Sequence, residues 1–309
     1  MDTSSKHDHL IANESDVTPY VLKAMEDTTD PRLRQIMAAM VRHLHAFFIE
    51  VRPTEQEYEA GLQFLNDIGK ATNAAHNEAV LFCDVIGLST LVDLINNDGM
   101  QGETMSALLG PFYRGSAPDC APGESMARND TVGEPLLMSG RVLDTAGQPI
   151  AGARLDVWQA DPKGLYENQD PDQPDYNLRA VYTTDGAGRY HLHTIRPAGY
   201  PVPTHTSPTG PLLAAQNRSP MRPAHIHFIV SAPAHKTLIT QIFVDTKAAM
   251  LDDVVFGAKE QIAVALQTSE LPLPGFPAVE PPFMTCQYDF VLKPGTPNFP
   301  LPPISGKAA

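Results

Sequence analysis

From Leu33 onward apolar residues return every three or four positions, at Ile36, Met37, Met40, Val41, Leu44, Phe47, Phe48 and Val51. That spacing gathers them on one face of an α-helix. Asp30 and Pro31 stand just ahead. Asp suits an N-cap, and proline suits the first helical position, where its missing N–H would bond nothing anyway. The pattern predicts an amphipathic helix of about five turns. A second helix starts at Thr54, with Glu57 at capping-box spacing and Leu62, Leu65 and Ile68 following; a third runs through "NEAVLFCDVIGLSTLVDLINN". Past residue 130 the pattern changes to short runs rich in β-branched residues: "PLLMSGRVLD", "ARLDVWQA", "RAVYTTD", "RYHLHTI", "HIHFIVSA", "TLITQIFVD" and "TCQYDFVLK". Turns such as "DTAGQP" and "TDGAGR" join neighbours. Short strands without intervening helices predict an antiparallel β-sandwich.

Proline usage sharpens the division. Only Pro19, Pro31 and Pro53, of 29 prolines, precede residue 110, so long helices are confined to the front. The composition splits near "LLGPFYRGSAP", giving a helical unit over 1–115 and a β-sandwich over 116–309. The tail "LKPGTPNFPLPPISGKAA" is expected to be loosely ordered. Lys and Arg number 22 against 36 Asp and Glu, a net charge of −14, which disfavours nucleic acid as a partner. The start "MDTSSKHDHL" is polar, and Asp84 and Asp93 interrupt the longest apolar stretch. Neither a signal peptide nor a membrane span is expected, and the cytoplasm is the expected compartment. Cys83, Cys120 and Cys286 are too few and too scattered for a disulfide framework or a thiolate site, and read as buried thiols.

Three His-x-His triplets occur, at 43–45, 191–193 and 225–227. On a helix, residues two apart diverge by about 200°, so His43 and His45 cannot grip one ion. On a strand they share a face. In "RYHLHTI", Tyr190 and Leu192 take the core side, leaving His191 and His193 for solvent or a metal. In "RPAHIHF", Ile226 and Phe228 point inward while His225 and His227 stand together behind Arg222. Such a pair also suits buried, hydrogen-bonded histidines. Tyr166 follows a strand and turn in "WQADPKGLYENQD", and Tyr200 lies in the proline-rich "IRPAGYPVP"; singly, either could be a packed tyrosine with its hydroxyl bonded. "GLQFLNDIGKAT" lacks the glycine spacing of a phosphate loop, and no G-x-S-x-G occurs.

Taken in order, Tyr166, Tyr200, Arg222, His225, His227 and Gln241, within "LDVWQADPKGLY", "YTTDGAGRY", "RPAHIHF" and "TLITQIF", resemble the intradiol ring-cleavage dioxygenases over nearly the whole chain. "DPRLRQIMAAMVRHLHAFFIEVRPTE", "YPVP", "RSPMRPAHIHF" and "VVFGAKE" are more similar to the hydroxyquinol branch than to the catechol branch. The resemblance implies a non-haem Fe(III) held by Tyr166, Tyr200, His225 and His227, with a solvent hydroxide as fifth ligand. Anionic oxygen donors suit a hard, highly charged ion, and a cation beside a phenol favours its deprotonated form. Paired tyrosines suit zinc less well, and no 2-His-1-carboxylate arrangement is evident.

The activity implied is opening of an aromatic ortho-diol by O2 between its two hydroxyl-bearing carbons. Tyr200 would leave the metal and act as a base, Arg222 would stabilise negative charge on the ring, and Gln241 would orient ligands or substrate. A surface salt bridge is the plain alternative for Arg222. The hydroxyquinol branch would place Leu81 and Asp84, the stretch Leu108, Leu109, Gly110, Pro111 and Phe112, then Val202, Pro203 and Val255 around the ring. Asp84 interrupts an apolar run, where a carboxylate needs a partner; a third ring hydroxyl or a nearby loop could supply it. Two features depart from the family pattern. After "YPVP" the expected Asp-Gly-Pro-Val-Gly is replaced by "THTSPTG", and "GYP" lies between the catechol and hydroxyquinol forms, so a ring with an extra substituent stays open. The family also implies a homodimer through the helical front, with Met37, Met40 and Phe47 either at that interface or in the monomer's core, and a lipid bound there. Catechol 1,2-dioxygenase is the alternative enzyme. A non-enzymatic binding sandwich is the alternative of another class, which needs none of Tyr200, Arg222, His225 or Gln241.

Overall fold

The computed structural model describes residues 10–97, 99, 101–129, 131–276 and 279–307. The chain divides into two compact units, 1–65 and 66–309. Its helices are α1 (Glu14–Ala24), α2 (Pro31–Val51), α3 (Glu55–Ala71), α4 (Glu78–Val85), α5 (Leu88–Asn96), α6 (Thr209–Ala215) and α7 (Lys247–Leu251). Asp30 caps α2 by accepting from the Arg32 and Leu33 amides, with Pro31 in the first turn. The stretch expected as a third helix is two, because Gly87 between α4 and α5 takes φ of 78°, a left-handed conformation that suits glycine. The short α6 and α7 interrupt the β region, which the strand pattern had not predicted.

The strands are β1 (Pro135–Asp144), β2 (Arg154–Gln159), β3 (Arg179–Thr183), β4 (Arg189–Ile195), β5 (Tyr200–Pro201), β6 (Met221–Arg222), β7 (His225–Ser231), β8 (Leu238–Phe243), β9 (Gln267–Ser269), β10 (Phe283–Gln287) and β11 (Phe290–Leu292). One sheet runs β3-β2-β7-β8 and is antiparallel throughout. A second is mixed, with β1 antiparallel to β4 but parallel to β10 and β11, and β5 and β6 form a two-stranded third. Between β10 and β11 the chain passes so close to Gly140 that a Cβ there would lie 1.9 Å from the Tyr288 carbonyl.

Each strand sends alternate residues inward, as the period of two requires. Leu136, Met138 and Val142 of β1 meet Leu155 and Val157 of β2 and Ile226, Phe228 and Val230 of β7 in one buried cluster. This is the expected sandwich core. Phe228 and Phe290 lie across it with ring centroids 4.9 Å apart. Among its described residues the tail after β11 has no helix or strand, yet Ile304 is buried. Cys286 is buried, whereas Cys83 and Cys120 are only partly so.

Candidate metal centre

Packing Ile226, Phe228 and Val230 into the sandwich turns His225 and His227 to the sheet's other face. There the register aligns Trp158, His227 and Gln241 across β2, β7 and β8. The Trp158 and His227 rings stack 4.6 Å apart at 9°. Tyr166 reaches this face from the turn after β2, where Asp161 Oδ1 accepts from the Lys163 and Leu165 amides at 2.9 Å each. Gly164 in that turn has φ of +85°, and a Cβ on it would fall 2.7 Å from Tyr200 Cβ. Only glycine lets the two tyrosine-bearing segments approach so closely. Tyr200 sits on β5 opposite Arg222 of β6.

Four donor atoms converge. Tyr166 Oη lies 3.0 Å from Tyr200 Oη and 2.9 Å from His227 Nε2, and the two Nε2 atoms are 3.0 Å apart. His225 Nε2 lies 3.4 Å from Tyr166 Oη and 3.5 Å from Tyr200 Oη. All four side chains are buried. His225 Nδ1 is 2.7 Å from the Pro223 carbonyl; a carbonyl only accepts, so the ring proton lies on Nδ1 and the Nε2 lone pair faces the cluster. Burial, reinforced by the Arg222 charge, depresses His225 to about 3. Burial and the neighbouring His225 and Arg222 hold His227 well below the usual histidine range. Burial likewise raises both tyrosines, with Arg222 opposing it. Two imidazole nitrogens and two phenol oxygens gathered among buried side chains are a donor set that a small hard cation would satisfy. Among the described residues no group of three or more His, Cys, Asp or Glu could hold a metal, so any ion here depends on the tyrosines.

Arg222 is buried rather than a surface residue. Its Nε donates to Asp253 Oδ1 at 3.1 Å, one terminal nitrogen donates to Gln241 Oε1 at 2.8 Å, and the other lies 3.1 Å from His225 Nε2. Gln241 in turn donates to the Leu108 carbonyl at 2.7 Å. Burial would raise Asp253, but Arg222 outweighs it and keeps the carboxylate below its ordinary range. Behind Tyr166 lies Arg179, fully buried, donating to Glu167 Oε1 and Asn168 Oδ1 at 2.8 Å each. Its guanidinium stands 6.0 Å from the Tyr166 ring centre. Sequence reasoning found neither Asp253 nor Arg179; the only signal was a charged residue beside an apolar run in "LDDVVFG" and "NLRAVY".

The residues expected around a ring do not gather in one place. Leu81, Leu108, Val202 and Val255 share one buried apolar cluster. Phe112 stacks on Tyr166 at 4.7 Å, with Leu109 packed on the same cluster. Asp84, Leu108, Leu109 and Gly110 line a cavity of about 1020 Å³ that the four donor residues do not line. Gly110 connects the two regions, since a Cβ on it would lie 3.4 Å from His227 Cε1. Pro111 is buried and Pro203 half-buried. Asp84 is pushed up to about 6, chiefly by burial, against a hydrogen bond from Ser89 and the Arg222 charge. Of the other histidines, His45 Nδ1 meets Thr18 Oγ1 at 2.9 Å, and His191 packs edge-on against Phe276.

A sandwich with a buried two-tyrosine, two-histidine cluster defines a class, and the comparisons agree. A family model described as "Dioxygenase" matches residues 108–294, and one described as "Catechol dioxygenase N terminus" matches 30–104. Hydroxyquinol 1,2-dioxygenase of Rhizobium sp. (strain MTP-10005) is 42% identical over 271 residues, covering 87% of this chain and 90% of that protein. Catechol 1,2-dioxygenase of Candida albicans is 38% identical, covering 80% of this chain and 82% of its own. The structure of hydroxyquinol 1,2-dioxygenase from Pseudomonas putida DLL-E4 superposes with a TM-score of 0.84 at 38% identity, covering 91% of this chain and 99% of that one. The chain belongs to the intradiol ring-cleavage dioxygenases.

Proposed function

We propose that this chain opens hydroxyquinol (benzene-1,2,4-triol) with O2 to 3-hydroxy-cis,cis-muconate, which tautomerises to maleylacetate, using non-haem Fe(III). The observation that carries the reading is the convergence of Tyr166, Tyr200, His225 and His227, the residues that would hold the ion; the hydroxyquinol relatives support the substrate. When bound, the ion would supply Lewis acidity toward the two diol oxygens and accept electron density from the ring.

The chain's own groups do the rest. Tyr200, which the bound ion would hold as a phenolate, would take up a substrate proton on Oη, while Tyr166, pinned between Phe112 and the Arg179 side, would stay in place. The Arg222 guanidinium, oriented by Asp253 and Gln241, faces negative charge developing on the ring. Asp84 accepts from the third hydroxyl. Leu81, Leu108, Leu109, Gly110, Pro111, Phe112, Val202, Pro203 and Val255 exclude water around the ring. Residues 116–309 form the catalytic part. The helical part through 115 serves dimerisation, supported by Leu33, Ile36, Met40, Leu44 and Phe47, which α2 leaves exposed; Met37 is half-buried beside them. That face is also where a lipid would sit. The compartment proposed is the cytoplasm; no helix among the described residues is long and apolar enough to cross a membrane.

The test is oxygen uptake by the iron-loaded protein with hydroxyquinol, catechol and substituted catechols side by side. Hydroxyquinol should turn over fastest, and the protein should show a tyrosinate-to-iron colour. Faster turnover of plain catechol would replace the substrate with that of the Candida relative. A colourless protein that takes up no oxygen after iron loading would leave only the binding sandwich.

A further inference from the structure

α4 carries Glu78 into the interior, where it is fully buried. Its Oε1 accepts from Ser207 Oγ at 2.6 Å, from Thr209 Oγ1 at 2.5 Å and from the Thr209 amide at 3.1 Å. Its Oε2 lies 2.6 Å from His76 Nε2. A buried carboxylate is costly unless it is this well bonded. Burial alone would raise its pKa, but the bonds from His76, Ser207 and Thr209 outweigh that and keep it ionised. The other partner is the segment "THTSPTG", which runs from the loop after β5 into the first turn of α6, the stretch that departs from the family pattern. That segment turns back on itself so tightly that a Cβ on Gly210 would lie 2.2 Å from the Thr204 carbonyl.

Glu78, Leu81 and Val85 are spaced to share one face of α4. Below Glu78, Leu81 and Val85 pack with Val202, Leu213 and Val255. The same helix face therefore bonds the segment at its middle and packs on both its flanks, with Val202 before it and Leu213 of α6 after it.

We propose that Glu78 is a positioning residue for substrate specificity: by holding Ser207 and Thr209 it fixes Val202 and Pro203 against Leu81, and so sets the width of the pocket around the ring. This rests on the reading of those three residues as pocket wall given above. Both hydroxyls donate to an ionised carboxylate, and such charge-assisted bonds are stronger than neutral ones.

The test compares the iron-loaded wild type with Ser207→Ala/Thr209→Val, Glu78→Gln and Glu78→Ala. The double variant should keep the tyrosinate colour and a kcat within about twofold, while its KM for hydroxyquinol rises on the order of tenfold and its preference over catechol narrows correspondingly. Glu78→Gln, which still offers an oxygen to both hydroxyls, should retain most of the preference, and Glu78→Ala should lose it. Hydrogen exchange at the Thr209 amide should quicken in the double variant and in Glu78→Ala. An unchanged KM and preference in a double variant that is fully coloured and active would overturn the proposal. So would a parallel loss of colour, kcat and stability in all three, which would mark a purely structural role. A wild type inactive with every diol would instead overturn the functional reading, and this role with it.

Discussion

Arg222 is buried and engages a partner with each of its three nitrogens, toward Asp253, Gln241 and His225. Arg222→Met strands the Asp253 carboxylate in the interior, and breaking a buried pair in this way costs about 3–5 kcal/mol. Urea denaturation should register that loss, and oxygen uptake should fall at least about 100-fold even under conditions where the variant stays folded. Asp84 behaves in the opposite sense. It titrates near 6 in the fold, against about 3.9 in an unfolded chain. Between those values the folded state holds the extra proton, so stability declines as pH rises through this window. Asp84→Asn should therefore unfold at higher denaturant than wild type at pH 7.5, by about 2–3 kcal/mol, with the gap closing near pH 4, while its discrimination between hydroxyquinol and catechol collapses. Equal stabilities at pH 7.5 would contradict it. The histidine pair was legible because a strand's alternation is written in the sequence. Asp253 beside Arg222 and Arg179 behind Tyr166 were not, because they arrive from segments whose own patterns say only that a charge sits near apolar residues.

At the level of elements, β7 works on both its faces. Phe228 anchors the inner one against Phe290, and the outer one presents the two imidazoles. Phe228→Ala should destabilise the protein by about 3–5 kcal/mol and should also reduce iron content after purification, since the strand's seating positions both faces. A variant that loses stability but binds iron stoichiometrically would separate the two. The long helix α2 was plain from its period and its Asp-Pro start. α1 was not, since Pro19 lies inside its eleven residues and it buries no side chain fully. Gly87 was visible in "DVIGLS", but whether a glycine interrupts a helix or rides within it depends on the φ that packing imposes. The parallel partnership of β1 with β10 and β11 had no local signal, because strand runs carry no record of which distant run they will join.

Across the whole molecule, iron would link the site to global stability. An ion that binds only the folded state, present at 100 times its Kd, adds about 2.7 kcal/mol. Stripping the protein with a chelator should bleach it and lower its Tm, and restoring Fe(III) should recover both; Zn(II) should recover the colour in no case. The chain's halves were legible from proline placement and from the change of period near residue 130. How the strands order into sheets was legible only as "sandwich", since order is settled by which hydrophobic faces meet. One feature of that order reaches into biosynthesis. β1 is translated near the middle of the chain, yet two of its partners, β10 and β11, come some 140 residues later. Throughout that interval the emerging polypeptide carries an unpaired strand flank, a ready template for joining a neighbouring nascent chain. Ribosomes stalled before residue 283 should thus yield aggregation-prone, chaperone-bound products, and solubility should appear only once residues 283–292 have left the ribosome.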